Sequence, residues 1–281
     1  MKEKIAKKEI PFNIVVFSIL LVIGIIMIVP FIIMIVIALE RYANVQPPFP
    51  ITFNVKEPSF FNFNLILENG GLVQSYINSF IIAVGSVIVN LFSVLLAGFA
   101  FSKGKFKGKN LILVLILATM MIPFETRMIP MYLMFNDFGL KNSFLALILP
   151  SVVDGFGILL VKNFFDMIPD SLMEASQIDG CNKFQSFFRI FLPFTGSISA
   201  TLVILKFMSS WNSLLWPLII LSDEKKQTVP MFISSFSYEN GSRLAGSTMA
   251  AAFLGIIPVV VIYLLLQRFV IQSIATTGLK E

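Results

Sequence analysis

The chain has 281 residues, 57% of them hydrophobic and only 13% charged, which is too apolar for an ordinary soluble domain of this length. It has no histidine and one cysteine, Cys181, so an internal disulfide and a Cys/His zinc site are excluded and that cysteine reads as a small packing residue. The formal net charge of +5 would suit a nucleic-acid partner in a polar chain, but here its distribution between loops carries more information than its sum.

Six stretches reach the ~20 mostly apolar residues needed to cross a hydrocarbon core: residues 13–39, 76–101, 111–135, 143–161, 194–221 and 245–269. None alternates apolar and polar residues as a membrane β-barrel strand would. A short tail, residues 1–12, precedes the first span. That span is about twice as long as a secretory h-region and no small-residue cleavage pattern follows, so it reads as an uncleaved anchor. The loop 40–75 comes next, with QPPFP at 46–50 and SFFNF at 59–63. Aromatics and prolines in such a loop suit both an interfacial cover and a docking surface for an external protein. Residues 76–271 hold the other five spans, 162–193 form the loop between the fourth and fifth, and 272–281 are a tail. Gly85, Gly98, Gly196 and Ala250 are among the small residues that permit close helix packing. No internal repeat is visible.

Basic residues set the expected direction. One side collects Lys2, Lys4, Lys7 and Lys8, then Lys103, Lys105, Lys107 and Lys109, then Lys162, Lys183 and Arg189, and finally Arg268 and Lys280. The other side has Arg41, Lys56, Lys141, Lys225, Lys226 and Arg243, a ratio of 13 to 6. The positive-inside rule puts both termini and the 162–193 loop in the cytoplasm.

That loop contains the least membrane-like segment of the chain, MEASQIDGCNKFQSFFRIFLP, residues 173–193. Pro169 stops the preceding span. Ser171 and Glu174 have the S-x-x-E spacing of a capping box that starts a helix, with Leu172, Met173, Ala175 and Ile178 as its apolar side. Gly180 permits a left-handed turn. Phe184, Phe187, Phe188 and Phe191 then stand at i, i+3, i+4 and i+7, one stripe of a second helix that Pro193 ends. An amphipathic helix lying in the interface would explain the phenylalanines but not the capped acidic helix and the glycine bend before them. A knob that inserts into a groove on a soluble partner explains both.

Glu174-Ala175-Ser176, Gly180, Ile190 and Leu192-Pro193 fit the pattern EAA---G---------I-LP, departing only at Ser176. That pattern resembles the coupling loop of importer permeases in the ATP-binding-cassette (ABC) superfamily. Asn78-Ser79, AGFAFSKGKFKGKN (97–110), IPMYLMFNDFGLKNSFLALILP (129–150), WNSLLWPL (211–218) and Thr228-Val229-Pro230 are similar to the carbohydrate-uptake branch. The long first external loop and six spans look like its smaller, maltose-type membrane subunit. The resemblance covers roughly residues 78–278. It implies an all-α integral membrane fold of six transmembrane helices with a two-helix cytoplasmic coupling loop. It also implies a second, homologous permease, two cytoplasmic ATP-binding subunits, an external solute-binding protein and a sugar substrate. Ser171, Glu174, Ala175, Ser176, Asp179 and Gly180 are the coupling candidates. The chain has no phosphate-loop motif, G-x-x-x-x-G-K followed by Ser or Thr; SKGKFKGK lacks its spacing. ATP and Mg²⁺ are therefore expected on the partner subunits, with no cofactor of the chain's own.

Four ionisable side chains fall inside spans, where each costs roughly 2.5–3.5 kcal/mol on insertion scales: Glu125, Arg127, Asp154 and Lys206. Glu125 and Arg127 are two apart and do not face each other on a helix; a broken helix between Pro123 and Pro130 would place them at a gate or as interfacial charges. Asp154 and Lys206 each come out ~16–18 Å deep at ~1.5 Å per residue, near the midplane, and are expected to pair or to share a polar cavity. Trp211, Asn212 and Trp216 suit either contact with a sugar ring or an aromatic belt with a packing amide. Against a membrane enzyme stand the lack of histidine and of a convergent acid pair; against a secondary transporter, the lack of repeats and of an ion-relay pattern. An importer of glycerol phosphate or amino acids is the alternative within the class.

Overall fold

The computed structural model describes residues 2–45, 55–68, 70–236 and 244–277. Among these residues a single antiparallel bridge, Glu40 to Pro58, is the only β pairing. The helices are α1 (Lys2–Leu39), α2 (Phe61–Glu68), α3 (Gly71–Lys103), α4 (Lys109–Thr119), α5 (Phe124–Asp137), α6 (Leu145–Ile148) and α7 (Gly155–Asp166). They continue with α8 (Asp170–Ile178), α9 (Lys183–Ser186), α10 (Gly196–Trp211), α11 (Leu215–Ile220), α12 (Val229–Phe236) and α13 (Ala245–Thr277). Five segments are long and apolar enough to cross a membrane, and the bent pair α4–α5 makes a sixth. The fold is an all-α, multi-pass membrane fold, as the hydropathy pattern requires.

The spans are less regular than their apolar runs suggest. The third turns by 99° between Thr119 and Phe124. The fourth passes from α6 through a 3-10 turn, 149–152, to extended residues Val153 and Asp154 before α7. The fifth breaks at 212–214 between α10 and α11. Proline marks each place: Pro123 caps α5, Pro150 sits in the 3-10 turn and Pro217 lies in the first turn of α11. Each lacks the N–H that a continuing helix would use. Helix α1 already runs from Lys2, so residues 2–12 of the expected tail are part of the first helix.

The described chain packs as two units. One consists of residues up to 70 with 233–256. Its interior holds a polar clasp around the buried Asn62, whose amide donates to the carbonyls of Ala38 and Glu40, both at 2.9 Å. Asn62 Oδ1 accepts from Asn44, which also donates to Ser247 Oγ and accepts from the Ser247 N–H. Gly246 lies so close that a Cβ there would meet the Asn62 amide at 2.6 Å. Of the SFFNF run, Phe60 and Phe61 are exposed while Asn62 is buried. QPPFP lies outside the described residues.

The other unit comprises 71–232 and the residues from 257 on. Here α3 packs along α7 and α10. Gly98 makes the approach of α7 possible, since a Cβ there would stand 2.4 Å from Val161 Cγ1. One apolar core joins α3, α7 and the 173–202 region, and a second gathers Ile82, Phe135, Leu147 and Ile220 around Trp216.

Candidate functional site

The segment 166–195 builds a knob from two short helices. The expected Ser171/Glu174 capping box does not form: the cap of α8 is Pro169, and both residues stand exposed within the helix. Lys103 moves the helix start to Asp170. Its buried ammonium (4% exposed) donates to Asp170 Oδ1 and to the Ile168 carbonyl, each at 2.6 Å, and the acid in the first turn complements the helix dipole. That hydrogen bond holds the Asp170 carboxyl below its ordinary value, so it stays charged through the neutral range. The chain leaves α8 through Gly180 at φ +81°, left-handed as expected. The capping box sits on α9 instead: Asn182 Oδ1 accepts the Gln185 N–H and Gln185 Oε1 accepts the Asn182 N–H, both at 2.9 Å.

Pro193 does not end the second helix. Residues 183–211 run on through a π turn at Phe187–Phe191 and a 3-10 turn at Leu192–Thr195. These turns absorb the N–H that Pro193 lacks. The phenylalanine stripe is divided. Phe187 and Phe191 are buried, and with Phe99 of α3 and Phe165 of α7 they form an aromatic box with centroids 5.1–5.9 Å apart. Phe184 and Phe188 face outward. On α8 the buried side is Met173 and Ser176, not Ala175 and Ile178; Ile178 is 86% exposed. Ser176, expected among the outward coupling residues, instead bonds Ser186 Oγ at 2.8 Å and ties α8 to α9. The outward face therefore carries Glu174, Ala175, Ile178, Asp179, Gly180, Phe184 and Phe188.

Between the spans lies a cavity of about 540 Å³. Arg127, Asp154 and Lys206 line it, and so do Thr228, Trp216 and several serines. Asp154 and Lys206 thus share one cavity, but they form no ion pair: the ion pairs among the described residues are Lys103–Asp170 and Lys162–Asp166. Asp154 caps α7, accepting from Gly157 N at 3.0 Å, and its second oxygen accepts from Asn90 Nδ2 at 3.1 Å. Arg127 points inward from α5, while Glu125 is exposed in the first turn of the same helix. Trp211 is core, stacked on Phe207 and edge-on to Tyr76, and Asn212 is the exposed cap of α10; neither lines the cavity.

Asn90 was not singled out in the sequence, and Lys103, Asn78, Ser79 and Thr228 were named there without these contacts. Asn90 and Lys103 hold Asp154 and Asp170. Asn78 donates to the Lys225 and Gln227 carbonyls, Ser79 accepts the Val229 N–H, and both draw Thr228 to the cavity wall. A polar residue inside an apolar run was the available signal, but it does not name its partner.

A family profile described as "binding-protein-dependent transport system inner membrane component" matches residues 89–276. Similar proteins include the arabinooligosaccharides transport system permease protein AraQ of Halalkalibacterium halodurans, 33% identical over 224 residues and 78% of each chain. AraQ of Bacillus subtilis is 30% identical over 80% of each chain. The sn-glycerol-3-phosphate transport system permease protein UgpE of Yersinia pestis is 33% identical over 72% of this chain and 71% of that one. A chain of a bacterial ABC transporter involved in import of the acidic polysaccharide alginate superposes with a TM-score of 0.82, covering 94% of this chain and 98% of that one; at 22% identity it speaks for the fold alone. The exposed EAS knob, the broken spans around a polar cavity and these matches place the chain in the family of binding-protein-dependent transport system inner membrane components, the permease subunits of ABC importers.

Proposed function

We propose that this chain is one of two pore-forming permeases in an ATP-driven importer of a mono- or oligosaccharide. An external binding protein delivers the sugar, and separate ATPases, which bind ATP and Mg²⁺, act on the chain through residues 171–193. Both termini and the knob face the cytoplasm. The observation that carries this reading is the mounting of the knob. Its exposed apolar side chains Ile178, Phe184 and Phe188, flanked by Glu174 and Asp179, suit a groove on a soluble partner. Its buried side grips α3 and α7 through the aromatic box and through Lys103. A push on the outer face then moves α3 and α7, and both contribute to the cavity wall. The carbohydrate class is the one named for AraQ; UgpE makes a phosphate ester the alternative.

The test is ATP-dependent uptake by this chain co-produced with its neighbouring permease, ATPases and binding protein. Glu174→Lys should leave the four-subunit membrane complex intact yet cut uptake per ATP hydrolysed at least tenfold. Gly180→Val, strained at a left-handed φ, should act in the same direction. Uptake that persists after the ATPases are disabled would mean a secondary transporter instead.

A further inference from the structure

We infer that the cavity between the spans is an anion site, taking the carboxylate or phosphate of an acidic sugar on Arg127 and Lys206. This rests on the importer reading and narrows its substrate class.

The charges of the cavity wall do not balance. Its ionisable residues are Arg127, Lys206 and Asp154. Both Asp154 oxygens are already engaged, by the Gly157 N–H and the Asn90 amide, in holding the start of α7. Asp154 and Lys206 form no ion pair within 4.0 Å. Lys206 donates no hydrogen bond among the described residues. Arg127 Nε is shielded from solvent and has no hydrogen-bond partner, and its guanidinium lies over the Phe124 ring, 5.9 Å from the centroid. Glu125, the nearest acid in sequence, is exposed and makes no ion pair with it. A third group waits on the same wall: Thr228 is 4% exposed and its buried hydroxyl is unpartnered.

Leaving two cations and a hydroxyl on the wall of a cavity without acceptors is costly. The hydroxyls of a neutral sugar would accept hydrogen bonds but leave the excess positive charge in place. A carboxylate or phosphate removes it, presents two oxygens to the planar guanidinium fork and still leaves a lone pair for Lys206. Trp216 limits the site without competing for the anion, because its N–H is already bonded to the Ala146 carbonyl at 3.1 Å.

The complete importer is reconstituted in liposomes, and ATP-dependent uptake is followed with three labelled probes: arabinotriose, an aldobiouronic acid and glycerol 3-phosphate. Uptake of an acidic probe is expected, and which of the two is taken up separates carboxylate from phosphate. R127Q and K206Q should each raise the half-saturating concentration of that probe roughly tenfold or more. If the glutamine variants do not co-purify with the ATPases, R127K and K206R carry the test: R127K, which loses the fork, should weaken uptake of the acidic probe and K206R should retain it. Uptake of arabinotriose alone overturns the proposal while the importer reading stands, and so does acidic uptake unchanged in the charge variants. Uptake that does not require ATP overturns the importer reading itself.

Discussion

Asp154 is held inside a span by two donors, the Gly157 N–H and the Asn90 amide, and neither is the lysine that depth alone would select. Counting residues from the span ends puts Asp154 and Lys206 at one level, and they do share a cavity. Helix rise gives depth but not direction, and it cannot anticipate that the chain is extended at Asp154. Once the helix restarts at Gly155, the aspartate becomes a cap, a role Asn fills about as well and Ala does not. Asp154→Asn should therefore cost little, whereas Asp154→Ala should destabilise by about 1 kcal/mol. Lys206→Met, which removes an unpaired cation, should not destabilise at all. Thermal midpoints of the detergent-solubilised complex decide it. Equal losses for Asp154→Ala and Lys206→Met would restore a structural ion pair.

At the scale of the element, the stretch from Asp170 to Trp211 shows what periodicity can and cannot carry. The i, i+3, i+4, i+7 spacing of phenylalanines correctly marks a helix with an apolar stripe. A stripe does not say which of its members face the chain's own core and which face a partner, because both are apolar. That division follows from the π turn at Phe187–Phe191, a local widening that Pro193 makes understandable only in retrospect. The capping box is a similar case: Ser171 and Glu174 have the right spacing, but Lys103, about 70 residues earlier in the chain, chooses Asp170 as the start of the helix. The two halves of the stripe should respond differently to truncation. Phe191→Ala, at the centre of the aromatic box, should cost ~3–5 kcal/mol and deplete the protein from the membrane. The double change Phe184→Ser and Phe188→Ser should leave the midpoint within ~1 kcal/mol of the parent while weakening retention of the ATPases on an affinity column. A double variant that unfolds would show these two rings to be core.

Across the whole molecule, length and apolarity made the spans legible, because crossing a ~30 Å hydrocarbon layer imposes them directly. The breaks were half legible: Pro123 and Pro130 announced the one in the third span, whereas Pro150 stands at the one in the fourth without foretelling the extended Val153 and Asp154. The distant polar ties were not legible. Asn44 with Ser247, and Asn78 with the carbonyls of residues 225 and 227, join positions far apart in sequence, and an amide side chain does not encode its partner. Direction across the bilayer rests on the Lys/Arg distribution alone, and the single cysteine makes it testable. In a Cys181→Ser background, cysteines are placed singly at Val45 and at Ile178, each 86% exposed. A membrane-impermeant maleimide applied to intact cells should label the Val45 position and leave the Ile178 position unmodified until the membrane is opened. The reverse pattern would put the EAS knob outside, where no ATP-hydrolysing subunit can reach it, and would detach Glu174 and Gly180 from any role in coupling.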